Sequence, residues 1–153
     1  MKAFRFPLQP LRVLRERKEQ TSQKKYVEAL RHCEAAAGEL HLASEELAEG
    51  WAMLCREMNA GATASDLLRT RAWCNVLEAR QKERAAQLQA AQYALDAATR
   101  ELMLAKRDRE ALERYHDKCR RAYDRAAQRE EQKRLDELAL RPFDMLDPLR
   151  FPN

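Results

Sequence analysis

The residue types that carry catalysis are few in this chain, and they do not converge. His32, His41 and His116 are scattered, and Cys33, Cys55, Cys74 and Cys119 show neither a C-x-x-C spacing nor a clustered histidine. A zinc site needs about four such ligands brought to one point, so the cysteines read as reduced, small apolar packers. Gly38, Gly50 and Gly61 form no loop that would cradle a phosphate. The expectation is therefore no catalytic residue, no metal and no cofactor. A different chemistry, that of protein interfaces, is suggested by Trp51 and Trp73 and by the two chain ends. "FRFPLQPLR" near the front and "DPLRFPN" at the back both set Phe, Pro and Leu beside Arg, and no proline lies between Leu11 and Arg141. A partly exposed indole is a common anchor at protein interfaces.

The elements that must position these residues follow from composition and period. Charged residues make up 35% of the 153, isoleucine is absent, and Val13, Val27 and Val76 are the only valines. A sheet would lack the β-branched residues it packs with, whereas Ala, Leu, Glu, Arg, Gln and Lys suit long helices. From Tyr26 onward, positions in alternating steps of four and three read Leu30, Cys33, Ala37, Leu40, Ser44, Leu47, Trp51, Leu54 and Met58, all apolar but Ser44. That is a heptad seam. Asn59 and Gly61 break it, Gly61 suiting a helix C-terminus, and Thr63 with Asp66 resembles a capping box for the next helix. The seam resumes at Leu67 and runs through Cys74, Leu77, Leu88, Ala91, Leu95, Ala98, Leu102, Ala105, Leu112, Cys119, Tyr123 and Ala126, interrupted by Gln81, Arg84, Arg109 and His116.

The fold class expected is all-α, an antiparallel two-helix coiled-coil hairpin with a longer second helix. Its parts are a lead over about 1–10, helix one over about 11–58, a tip turn at about 59–64, helix two over about 65–140 and a tail over about 141–153. A period near 3.5 predicts a left-handed supercoil, and the many alanines predict a thin core of modest stability. Folding at about residue 61 pairs positions whose numbers sum to roughly 122. It sets no two cysteines opposite each other, and it brings Trp51 and Trp73 within about a turn near the tip. It also leaves helix two overhanging from about residue 112, a length of roughly 42 Å at about 1.5 Å per residue.

Charge is uneven along the rod. Residues 1–31 hold nine Lys and Arg against three Glu, and residues 32–60 hold six Glu against one Arg. Such segregation suits a rod whose ends meet different partners. A net charge of +4, with acids interleaved among the arginines, argues against nucleic acid as a partner. No apolar stretch approaches the ~20 residues of a bilayer span, and the basic front lacks the apolar core of a secretory signal. These features predict a cytosolic protein.

Two segments carry a resemblance. Phe4, Phe6, Leu8, Gln9, Leu11, Leu14 and Arg15 give the pattern F-x-F-x-L-Q-x-L-x-x-L-R, with Pro7 and Pro10 inside it, and Glu131 to Glu137 give E-Q-K-x-L-D-E. With the hairpin between them, they resemble the flagellar export protein FliJ family. The resemblance implies a non-enzymatic, cytoplasmic component of the bacterial flagellar type III export apparatus, built like the two-helix central stalk of rotary ATPases. It implies that the base of the coiled coil enters the hexameric export ATPase ring. It also implies that the tip side meets the membrane export gate protein, and that some export chaperones bind as well. Association with the inner membrane would then be peripheral, through partners. The equivalent stalk of a virulence type III system and a plain coiled-coil scaffold are the alternatives.

Two candidate surfaces follow. For the ATPase ring they are Phe4, Phe6, Leu8 and Leu11 packed on the overhang, with Arg121, Arg125, Arg129, Lys133, Leu135, Asp136 and Glu137 projecting from it. For the export gate they are Leu47, Trp51, Trp73 and Leu77, because an alanine-built core has little room for two indoles.

Overall fold

The structure is a computed structural model and describes residues 3–140. The proline-bearing tail anticipated after Arg141 lies outside the described residues. Two helices pack antiparallel, α1 over Gln9–Asn59 and α2 over Ala64–Ala139, of 51 and 76 residues. The expected hairpin with a longer second helix is what forms.

Its start, turn and restart follow from local chemistry. Pro10 sits in the first turn of α1, where its missing N–H is no loss and its fixed φ is already helical. The helix therefore begins at Gln9, two residues ahead of the expected start. At the other end Gly61 takes φ 72°, the left-handed region. The Gly61 N–H donates to the Met58 carbonyl at 3.3 Å and the Ala62 N–H to that of Glu57 at 3.1 Å. These two bonds satisfy carbonyls that the helix leaves open, in a Schellman arrangement. Thr63 then caps α2: its hydroxyl accepts from the Asp66 N–H at 3.3 Å and donates to the Asp66 carboxylate at 2.6 Å. The box is thus closed side chain to side chain rather than through the Thr63 N–H.

The seam of α1 differs from the expected one in half of its positions. Tyr26, Cys33, Leu40, Leu47 and Leu54 face α2, but the alternate positions lie one residue earlier than expected. Ala29, Ala36, Ala43, Gly50 and Glu57 turn inward, while Ala37 and Met58 are exposed and Leu30, Ser44 and Trp51 stand at the seam's margin. The inward set is Ser22, Ala29, Ala36, Ala43 and Gly50, a small side chain every seventh residue. Hydrophobicity alone favours Leu30 and Trp51, yet close packing of two helices favours what takes least space. At Gly50 a β-carbon would stand 3.0 Å from Leu77 Cδ1 and 3.4 Å from Cys74 Sγ. Leu77 and Cys74 are accordingly 2% and 0% exposed. In α2 the seam runs as expected as far as Tyr123, but Ala126 is exposed and Ala127 takes the inward position.

The four polar breaks in the α2 seam each have a partner. Gln81 Nε2 donates to Ser44 Oγ at 3.0 Å, which itself donates to the Leu40 carbonyl at 2.8 Å. Arg84 pairs with Glu39, and Arg109 with Glu19 and Glu113. The hydrogen bond and charge of Glu19, with Glu113 beside it, hold the Arg109 guanidinium above its ordinary pKa. His116 receives the N-terminal lead. Lys25 with Glu101 at 2.9 Å and Arg80 with Glu46 at 3.0 Å bridge one flank. Exposed pairs of this kind add little stability each, but every one of them is lost if the helices slide.

Ser22 is 1% exposed and its Oγ has no hydrogen-bond partner among the described residues. Ser22→Ala keeps the volume, removes a desolvated hydroxyl and favours helix, and is expected to stabilise the hairpin by about 1 kcal/mol. Gly50→Leu must push the helices apart and is expected to cost about 1–3 kcal/mol. Urea unfolding followed by circular dichroism measures both, and a stabilised Gly50→Leu variant would contradict the close approach.

Candidate functional site

At the base, the lead over residues 3–8 lies along α2. The Phe6 ring centroid is 4.9 Å from that of His116 in an edge-on contact and 6.1 Å from that of Tyr115, and Phe6 is buried. Phe4 lies 5.5 Å from Tyr123 and 5.7 Å from His116, with the Arg120 guanidinium carbon 5.3 Å from its ring. Contacts of this geometry contribute about 0.5–1.5 kcal/mol each beyond buried area. A hydrogen bond and charge interaction with Cys119 raises the Tyr115 phenol above its ordinary pKa. Phe4 and Phe6 are therefore a brace for α2, and Phe6 is too buried to touch a partner. Leu8 and Leu11 remain about one-third exposed.

The brace ends near Tyr123. Beyond it, every residue from Gln128 to Leu140 is exposed, including Arg129, Lys133, Leu135, Asp136 and Glu137. Arg121 and Arg125 are exposed just before this bare segment. Leu135, Leu138 and Leu140 are 55%, 60% and 80% exposed. The lead covers the first part of the overhang, so its continuously exposed part begins at Gln128. Leu135 and Leu138 also fall outside the seven-residue steps of the seam: positions continuing from Tyr123 and Ala127 are Glu130, Arg134 and Glu137.

At the tip, the four residues named as one surface separate. Leu77 is core and Leu47 lies in the seam, partly covered. Trp51 follows the seam residue Gly50, and the Arg71 guanidinium carbon stacks 4.5 Å from its ring. Trp73 precedes the seam residue Cys74, is half-exposed, and lines a shallow groove with Met53, Glu46 and Arg80. In an antiparallel pair, residues just after the seam on one helix face those just after it on the other, and likewise for those just before. The two indoles therefore leave the hairpin on opposite flanks. Sequence reasoning missed Arg71, Met53 and Val76 as tip residues. The fold-back arithmetic does pair position 51 with position 71, which was the available signal. His116, read there as an interruption, is the residue that seats the lead.

Among the described residues no group of three or more His, Cys, Asp or Glu is arranged to hold a metal. Among them, too, no helix is long and apolar enough to cross a membrane. Comparison with known families gives a match to the flagellar FliJ protein family over residues 4–144. The chain belongs to that family. Membership makes this FliJ-family chain a component of the flagellar export apparatus. The matched span takes in both the aromatic lead and the bare end of α2, so the family resemblance does not rest on the coiled coil alone. Searches of curated proteins and of solved structures give no match.

The different settings of the two indoles in this FliJ-family chain are measurable. With Trp51 replaced by Phe, emission from the remaining Trp73 is expected to be red-shifted and more readily quenched by acrylamide than that of Trp51 in the Trp73→Phe variant. Equal quenching would place both indoles in one environment, against the geometry above.

Proposed function

We propose that this FliJ-family chain is the stalk of the flagellar export ATPase, a non-enzymatic shaft at the cytoplasmic face of the inner membrane. Its base enters the ATPase hexamer and its tip flank meets the membrane export gate protein. The observation that carries this reading is the bare end of α2. A single helix is marginal in water when nothing packs on it, yet residues 128–140 extend with exposed Leu135, Leu138 and Leu140 and alternating charge. A ring with an axial channel is the kind of partner that surrounds such a segment on all sides. The brace of Phe4 and Phe6 stiffens α2 where it would enter, and Arg121, Arg125, Arg129 and Lys133 are free to meet acidic groups on the channel wall.

At the tip, the gate-facing role falls to Trp73 with Met53 and Val76, which are 51%, 47% and 52% exposed. Trp51 under Arg71 is the second candidate, on the other flank. Leu47 and Leu77 support this surface from the core and do not reach a partner. Export chaperones belong to the same proposal as occupants of the outer faces.

The hydrolysis rate of the cognate export ATPase is expected to rise with added chain and saturate near one chain per hexamer. A chain ending at Glu130 should lose that stimulation while keeping the hairpin's helicity. Trp73→Ala should weaken binding to the gate protein and leave ATPase stimulation intact. Stimulation that survives the truncation would move the ATPase contact away from the base.

A further inference from the structure

The outermost line of α1 carries a pattern that neither the hairpin nor the proposed stalk uses. Positions 17, 24, 31, 38 and 45, each seven residues apart, read Arg17, Lys24, Arg31, Gly38 and Glu45, and all are exposed. Seven residues are close to two turns, so these side chains lie above one another on the face turned away from α2. Lys24 and Arg31 form no ion pair among the described residues, while Glu45 has only an exposed contact with His41 at 3.4 Å. Gly38 stands in mid-helix, and nothing lies within 4 Å of where its β-carbon would be. A glycine there costs the helix about 1 kcal/mol against alanine, and unlike Gly50 it answers no contact within the chain. Beside this line Val27 is 38% exposed and Leu42 60%.

We propose that this face is an interface between two copies of the chain, paired antiparallel along α1. The basic half of α1 then lies on the acidic half of its partner. A two-fold axis between residues 34 and 35 sets Lys24 of each copy against Glu45 of the other and Arg31 beside Gly38, while Val27 and Leu42 border the pairing on opposite flanks. Small residues at the centre, Ala35 and Gly38, let the two helices approach closely, and charge complementarity fixes direction. Parallel pairing would stack Lys24 on Lys24 and Arg31 on Arg31, which repels. The same face offers no Trp, Phe or Tyr for insertion at a bilayer, so a second copy fits it better than an anionic membrane. The pairing leaves the bare end of α2 and the Trp73 flank uncovered, and it stands whether or not the stalk reading holds.

The test is sedimentation velocity on the full chain in reducing buffer over a range of concentrations. The expected result is a monomer–dimer equilibrium that shifts toward monomer as salt screens the pairs. Lys24→Glu and Glu45→Lys should each give monomer with unchanged helicity, since both positions are exposed. An equimolar mixture of the two variants should recover dimer, because each then presents the charge that the other lacks, and the double variant should dimerise alone. Gly38→Leu should raise helix stability and abolish the dimer, separating association from folding. A chain that stays monomeric at every concentration overturns the proposal and leaves the face to another partner. Single variants that lose the dimer without recovery on mixing, or that keep it, overturn the antiparallel register.

Discussion

How closely two helices can approach decides most of what this molecule is. With Ser22, Ala29, Ala36, Ala43 and Gly50 turned inward at every seventh position, α1 lies near enough to α2 for Leu77 to press on bare backbone. That closeness has a consequence for the rest of the surface. A hairpin held by small side chains buries little of its bulk, so large residues such as Leu42, Leu68, Tyr93 and Met103 stay in solvent. Stability then comes from many weak contacts spread along the rod rather than from one dense core.

Close approach also magnifies the penalty for a wrong register, and the polar breaks in the seam are placed to exploit this. Gln81 meets Ser44, Arg84 meets Glu39, Arg109 meets Glu19, and His116 meets the two phenylalanines of the lead. Each is a poor substitute for leucine as a source of burial energy. Gln81 and Arg109 have these partners only when the helices are aligned as they are, since a slide by one heptad would set Gln81 at Ala37 or Trp51 and Arg109 at Arg12 or Tyr26. A polar seam residue acting as a register device is well attested in coiled coils, and here the four are distributed from the tip half to the base.

The two ends gain different properties from the same rod. At the base, the lead packs on α2 as far as Tyr123, which converts part of the overhang into a braced shaft, and among the described residues Gln128 to Leu140 are exposed beyond it. At the tip, the Schellman turn and the Thr63 cap hold the helices at fixed separation, and the indoles are set on opposite flanks. In a member of the flagellar FliJ family, a stiff shaft that exposes different chemistry at each end suits a part that works between larger components.

The sequence by itself determined the helical class, the antiparallel fold-back, the turn at Gly61 and the excess length of α2. Each of these depends on local propensity or on the period of apolar residues, which need no partner to be read. It also carried the family, through Phe4, Phe6 and the segment from Glu131 to Glu137. Only the tertiary structure decided which of two adjacent positions enters the seam in each heptad. A heptad of period near 3.5 tolerates either neighbour, and hydrophobicity favoured Leu30 and Trp51, whereas interhelix distance selects Ala29 and Gly50. The same decision moved Trp51 and Trp73 to opposite flanks and gave Trp51 its arginine. The fate of the overhang was likewise settled in three dimensions, because the reach of the lead along α2 depends on where His116 and Tyr123 stand to receive it. Periodicity says that a side chain lies near the seam; only packing against the other helix says on which side of it.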